Sequence, residues 1–376
     1  MRKQLVVHIG PRKTGTTAIQ SSLAGHRDEL AAHGVAYPGE RNQHHQVVNR
    51  FLGRKVLWHN DLETDRQPKK LDQLLRGVQD LPRVVMSSEV LSQFLPTDID
   101  RFVAAIPDRD VTVVISYRRY EDLLPSTWQQ AVKEGLPLTL EQWLTHVLQP
   151  GAGGIAFPSN PAFPRRTDLA TLAQDWGRVV GGENVVVVVV DSSDPQRIFR
   201  TFEELLALPG ALLDPLPGAR GNRSMTVEEA EFVRASNALM VQDEATFELF
   251  RLYRMRVLST FLNTQPPDPA DHRSVMPAWA LTRAREECSS MVERLGALSV
   301  PPRVMGELAT LVGTKVGTNV GTNVGTNAPA DVPSGDPANA PAAIPGRVSA
   351  EFAAEMLAGA LRVAVNSRSG ETSGTP

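Results

Sequence analysis

The sequence predicts an α/β protein of three layers, a parallel sheet between two layers of helices, with a helical cap in its C-terminal half. Three observations carry that prediction. Short β-rich apolar runs alternate with helically spaced segments through the first two hundred residues, the mark of repeated strand–helix–strand units. The run Asn184–Val190 is apolar almost without a break, so both faces of that strand must be covered. A glycine turn, Gly10 to Gly15, joins the first strand to the first helix.

Taken in order, strands are predicted at Gln4–Ile9, Gly34–Tyr37, Arg83–Met86, Val111–Ser116 and Asn184–Val190. Helices are predicted at Thr16–Leu23, Lys69–Val78, Asp98–Ile106, Leu138–Leu148, Asp168–Val179 and Pro195–Leu206, where apolar residues recur near helical spacing. From Thr226 onward the strand signals stop. Thr226 followed by Glu229 reads as a capping box opening a long helix, and a second helix is predicted from Trp279 to Leu295. Residues 1–300 therefore read as one α/β domain whose cap begins near 226. Residues 312–346 repeat valine, glycine, threonine and lysine or asparagine, then turn rich in proline, alanine and glycine. So few large side chains cannot offset chain entropy, which predicts a disordered linker. In residues 347–366, Val348, Phe352, Met356, Leu357 and Leu361 fall at helical spacing and predict an amphipathic helix that docks on the protein's own body, ahead of the alternative of a partner.

A chain of 376 residues can bury a large core and an enclosed site. Its 39 lysines and arginines stand against 42 aspartates and glutamates, a formal net charge of -3. No overall basic field favours nucleic acid, so any anion site must be local. The single cysteine, Cys288, rules out an internal disulfide framework and a cysteine-rich metal site. The first residues are basic but reach glycine, proline and arginine before a signal segment could form, and no apolar stretch approaches the roughly 18 residues of a membrane span. A cytoplasmic protein is expected.

The most informative segment is Val6-Val-His-Ile-Gly-Pro-Arg-Lys-Thr-Gly-Thr-Thr-Ala-Ile-Gln20. Gly10 and Gly15 let the backbone turn around a phosphate, and the helix beginning near Thr16 aims unpaired amide hydrogens and its positive end at that anion. Arg12 and Lys13 add charge, while Thr14, Thr16 and Thr17 offer hydroxyl donors. The nucleotide triphosphatase pattern G-x-x-x-x-G-K-[ST] puts its lysine right after the second glycine. Here Thr16 stands at that place and Lys13 projects from the loop itself.

Lys13-Thr-Gly-Thr-Thr in this context closely resembles the 5′-phosphosulfate loop of sulfotransferases that use 3′-phosphoadenosine 5′-phosphosulfate (PAPS), the bacterial members above all. The resemblance implies a P-loop-like fold, PAPS as co-substrate, and Lys13 stabilising the departing phosphate. A second segment resembles the same family: Val111-Thr-Val-Val-Ile-Ser-Tyr-Arg-Arg, a strand ending in paired arginines, followed by Ser126 in a helical segment. A strand-end guanidinium forks onto phosphate and a helical serine adds a neutral hydrogen bond. By resemblance Arg118 and Ser126 would hold the 3′-phosphate, with Arg119 as the alternative; Arg119 taken alone reads as a surface partner of Glu121 or Asp122. The likeness runs more weakly through Val84–Glu89, Asp168–Trp176 and Asn222–Glu229.

Sulfuryl transfer also needs a base for the acceptor's proton. Family branches use carboxylates or histidines, which leaves Glu89, at a strand's carboxyl end, ahead of His45 in a polar loop, with His44 and Glu40 behind. Asn222, Arg223 and Ser224 are candidates for adenosine or 3′-phosphate contact. Asp191 follows the valine run where a magnesium aspartate would sit, but without the matching lysine it reads as a turn acid, so no metal is expected. A small-molecule or carbohydrate acceptor is the expected partner. The rival readings are a P-loop kinase, sharing the glycine spacing, and a binding protein that keeps the fold without the chemistry.

Overall fold

The computed structural model describes residues 3–53, 69–149, 167–191, 193–215, 224–242, 253, 258 and 274–313. The predicted linker, apart from its first two residues, and the predicted C-terminal helix lie outside them, as do Asn222 and Arg223. Among the described residues, six strands form one wholly parallel sheet: β1 (Lys3–Ile9), β2 (Val35–Ala36), β3 (Arg83–Ser87), β4 (Arg109–Tyr117), β5 (Val185–Val189) and β6 (Arg303–Met305). Their order is β2-β3-β1-β4-β5-β6. The helices are α1 (Thr16–Gly25), α2 (Arg27–Ala32), α3 (His45–Leu52), α4 (Lys69–Arg76), α5 (Pro96–Ala104), α6 (Tyr120–Lys133), α7 (Leu140–Leu148), α8 (Leu169–Val180), α9 (Arg197–Leu205), α10 (Val227–Gln242), α11 (Ala278–Gly296) and α12 (Ala309–Val312). None of them is long and apolar enough to cross a membrane.

Parallel strands need a crossover between each pair, and the helices that make those crossovers cover both faces, so every strand must be apolar on both sides. The alternation of side chains divides the strand residues accordingly. Leu5, Val7, Ile9, Val84, Met86, Val113, Ile115, Val187 and Val189 face a core shared with α3, α5, α8 and α11. Val6, Val85, Val114, Val186 and Val188 face the opposite core, built with α1, α2 and α9. The central strand β1 pairs with β3 on one side and β4 on the other. Strand order reverses there, and in open parallel sheets the crevice beyond the carboxyl ends at such a point is where ligands bind.

Two compact units are present. The first takes the described residues within Met1–Trp128, Leu140–Arg223 and Val275–Thr314, and holds the sheet; the second takes those within Gln129–Thr139 and Ser224–Ser274. In the second, Thr226 and Glu229 make the predicted capping box: Thr226 N–H donates to Glu229 Oε2 at 2.9 Å and Glu229 N–H to Thr226 Oγ1 at 3.1 Å. Gln129 there exchanges two hydrogen bonds with the backbone of Met225, both 2.9 Å.

Two differences from the sequence reading have clear physical causes. The helix predicted at Trp279–Leu295 forms as α11, but Cys288, Met291 and Leu295 are buried in the sheet's own core, so this helix is part of the α/β layer. Strand signals do not stop before it: β6 pairs with β5 at the sheet edge. Three residues behind Pro301 and Pro302 are too few to show a period.

Candidate functional site

The loop after β1 is built by close approach to β4. Gly10 has φ +150°, and a Cβ there would lie 2.4 Å from the carbonyl oxygen of Ser116. Lys13 sits in the left-handed region at φ +72°, a conformation that costs a side-chain-bearing residue about 1 kcal/mol. Gly15, at φ +78°, is the N-cap of α1, and no side chain caps that helix. Ala18 N–H donates to Gly15 O at 3.1 Å, so the first-turn amide hydrogens that could meet an anion are those of Thr16 and Thr17, at a helix end that attracts negative charge. Arg12 and Lys13 are half-buried beside it.

The three threonines of the loop have separate tasks. Thr14 is fully buried; its hydroxyl donates to Pro11 O at 2.8 Å and lies 2.9 Å from Ser116 Oγ. Thr16, 3% exposed, donates its hydroxyl to Oε1 of Glu89. Thr17 alone is exposed.

Behind the loop runs a buried hydrogen-bond chain that sequence reading missed. Gln20 Nε2 donates to Ser87 Oγ at 2.9 Å; His8 Nδ1 lies 2.8 Å from Ser87 Oγ, and His8 Nε2 lies 3.1 Å from Ser116 Oγ. The direction of every bond follows from the two ends. Thr14 gives its proton to a carbonyl, so it must accept from Ser116; Ser116 must then accept from His8, which fixes the proton on Nε2 and leaves Nδ1 to accept from Ser87. Burial pushes the His8 imidazole down to about 4, only partly opposed by the charge of Glu89, so the ring is neutral, as the chain requires. The cue lay in the sequence: a histidine inside the otherwise apolar run Leu5–Ile9.

The candidate bases turn out to be neighbours. Glu89 opens a 3₁₀ turn after β3, and His45 is the first residue of α3. Glu89 Oε2 lies 2.8 Å from His45 Nε2, while His45 Nδ1 lies 2.9 Å from Ser88 Oγ. The Glu89 side chain is 9% exposed and that of His45 22%. Burial alone would raise the Glu89 carboxyl; the hydrogen bond and charge of His45, with the Thr16 hydroxyl, outweigh it and hold the group down at about 2. His44 is structural: its Nε2 donates to Pro38 O at 2.8 Å, its Nδ1 accepts from Ser87 N–H at 3.1 Å, and burial lowers its pKa. Glu40 is exposed.

Beyond β4, Arg119 is held by Glu121 Oε1 and Asp122 Oδ2, both at 2.6 Å, while Arg118 meets Asp122 more loosely at 3.4 Å. Ser126 lies four residues past Asp122 on α6, one turn along the same face. The β4 end touches the loop after β1 through Ser116, so that loop and Arg118, two residues on, share one edge of the sheet. Asp191 accepts from Ser193 N–H at 3.1 Å and from its hydroxyl at 2.5 Å, a turn built on its side chain.

No family model matches the chain, and no curated protein matches it in sequence. Among solved structures the chain is similar to a sulfotransferase from Alicyclobacillus acidocaldarius, at 19% identity and a TM-score of 0.41, over 67% of this chain and 99% of that one.

Proposed function

We propose that the protein is a sulfotransferase that moves the sulfuryl group of PAPS onto a hydroxyl or amine of a carbohydrate, lipid or small natural-product acceptor. One observation carries this reading above the others: a phosphate loop with its lysine inside the turn is hydrogen-bonded, through Thr16, to a buried carboxylate–imidazole pair. Anion seat and proton acceptor therefore stand side by side, as in-line transfer from a phosphosulfate requires. The place of the triphosphatase lysine is taken by Thr16, whose side chain is buried and committed to Glu89, which speaks against the kinase reading.

PAPS supplies the sulfuryl group and leaves as 3′,5′-adenosine bisphosphate. The uncapped first turn of α1, Lys13 and the exposed Thr17 hydroxyl hold the 5′ end, and Arg118 with Ser126 holds the 3′-phosphate. Glu89 accepts the His45 Nε2–H, and Nδ1 then accepts from the Ser88 hydroxyl, so the acceptor's proton goes to the Ser88 oxygen as the Ser88 proton passes to Nδ1, the carboxylate stabilising the imidazolium. The acceptor oxygen or nitrogen bonds to sulfur as the bond from sulfur to the bridging oxygen breaks. The electron pair of that bond stays on the 5′-phosphate, where Lys13 offsets the charge.

The test is calorimetric binding of 3′,5′-adenosine bisphosphate, with AMP and ATP as controls, to the wild type, Lys13→Ala and Arg118→Ala. Binding that needs the 3′-phosphate and weakens roughly 10- to 100-fold in Arg118→Ala supports the reading. A preference for ATP with magnesium would replace it with the kinase.

A further inference from the structure

Resting on the donor site proposed above, we infer that the Thr16 hydroxyl belongs to the proton-accepting site and not to the phosphate seat, so that Thr16 is a positioning residue tying the two together. A threonine has one hydroxyl proton, and here it is given to Glu89 Oε1. Thr16 is the first residue of α1, where a β-branched side chain has little χ1 freedom, and it is 3% exposed. Turning the hydroxyl toward a phosphate would leave one oxygen of a buried carboxylate without its donor. Of the other amides at this carboxylate, the backbone N–H of Glu89 is already engaged with it, and Gln20 Nε2 is 3.5 Å from the other oxygen, too long to replace the hydroxyl. The bond forgone on Glu89 and the bond gained on phosphate are of one kind, both to an anionic oxygen, so the exchange offers no net gain.

The arrangement divides Thr16 by atoms. Its backbone N–H belongs to the first turn of α1, on the phosphate side, while its side chain fixes the oxygen of Glu89 opposite the one that meets His45. A shift of the loop on donor binding is thereby passed to the carboxylate that orients the imidazole. The titratable groups that act on Glu89 are His45 from α3, His8 from β1 and Tyr37 after β2, and none of them is altered by a change at Thr16.

The experiment measures two quantities in the wild type, Thr16→Val and Thr16→Ser: calorimetric affinity for 3′,5′-adenosine bisphosphate, and the titration midpoint of the Glu89 carboxyl by carbon-13 NMR. In Thr16→Val the affinity is expected within about threefold of the wild type, while the Glu89 midpoint rises, by roughly tenfold in its acid constant; Thr16→Ser restores the wild-type midpoint. A loss of affinity of tenfold or more in Thr16→Val with Thr16→Ser unaffected, or an unmoved Glu89 midpoint, overturns the inference. Should Thr16→Val fail to fold, Thr16→Ala gives the same two readings. A wild type that does not bind the bisphosphate sinks the donor site alone, and the Glu89 midpoint then decides the place of the Thr16 hydroxyl by itself.

Discussion

Oε2 of Glu89 lies 2.8 Å from Nε2 of His45, which makes a single pair of two groups that read as competitors in the sequence. If they work as one unit, their losses do not multiply. His45→Gln and Glu89→Gln are each expected to lower the transfer rate by about 10²- to 10⁴-fold, the usual worth of a positioned base, and the double variant to fall no lower than the worse single one. Bisphosphate affinity stays within about threefold in all three. Steady-state kinetics with PAPS and an acceptor found by screening makes the comparison; a double variant at the product of the two losses means that the groups act separately.

The same pair and the buried His8 set the acid side of stability, in two windows. Glu89 moves from an ordinary 4.5 to about 2 on folding, so its contribution is whole above about 4.5 and is lost as pH falls toward 2. His8 moves from 6.5 to about 4, so the unfolded chain takes up a proton first and stability falls between those values. Each step is on the order of 3 kcal/mol. Denaturant unfolding at a series of pH values is expected to show both, and His8→Gln is expected to shrink the upper one, leaving the part that the buried His44 contributes in the same direction. A slope between pH 6.5 and 4 that is undiminished in His8→Gln would place its origin elsewhere.

The five strands that sequence reading finds are the ones buried on both faces, because a parallel sheet between helix layers writes itself as unbroken apolar runs. What escaped is short or depends on contacts distant in the chain. β6 has three residues and only β5 as a neighbour. α3 has Val47, Val48, Phe51 and Leu52 at helical spacing, but it is only eight residues long and opens on His45 in what reads as a polar loop, yet this helix is what delivers His45 to Glu89. Thr16 could be placed in the loop from its spacing, but the direction of its hydroxyl depends on Glu89, brought beside it by the pairing of β1 with β3.

Lys13 carries a side chain at φ +72°, a left-handed backbone that strains any residue with a Cβ. Lys13→Gly relieves it and is expected to leave the fold as stable as the wild type or about 1 kcal/mol more so, while Lys13→Ala, which keeps the strain, gains nothing. Both lose bisphosphate affinity and transfer. Thermal unfolding beside calorimetry separates the two effects; equal stabilities for the glycine and alanine variants would show that the backbone relaxes without cost.

Gly10 and Gly15 both have positive φ, but for different reasons, and alanine tells them apart. At Gly15 a Cβ would meet nothing nearer than Val190 Cγ1 at 3.7 Å, so Gly15→Ala bears only the left-handed backbone, about 1–2 kcal/mol. At Gly10 the same atom would lie 2.4 Å from Ser116 O and 2.8 Å from Ser116 Oγ, backbone and a hydroxyl already bonded to Thr14 and His8. The loop must then lift from β4, which breaks the chain that ends at Thr14. Gly10→Ala is therefore expected to cost more stability than Gly15→Ala by at least about 2 kcal/mol, the size of lost buried hydrogen bonds added to strain, and to abolish bisphosphate binding. Equal unfolding free energies for the two variants would mean that the close approach of Gly10 to Ser116 does not hold the loop in place.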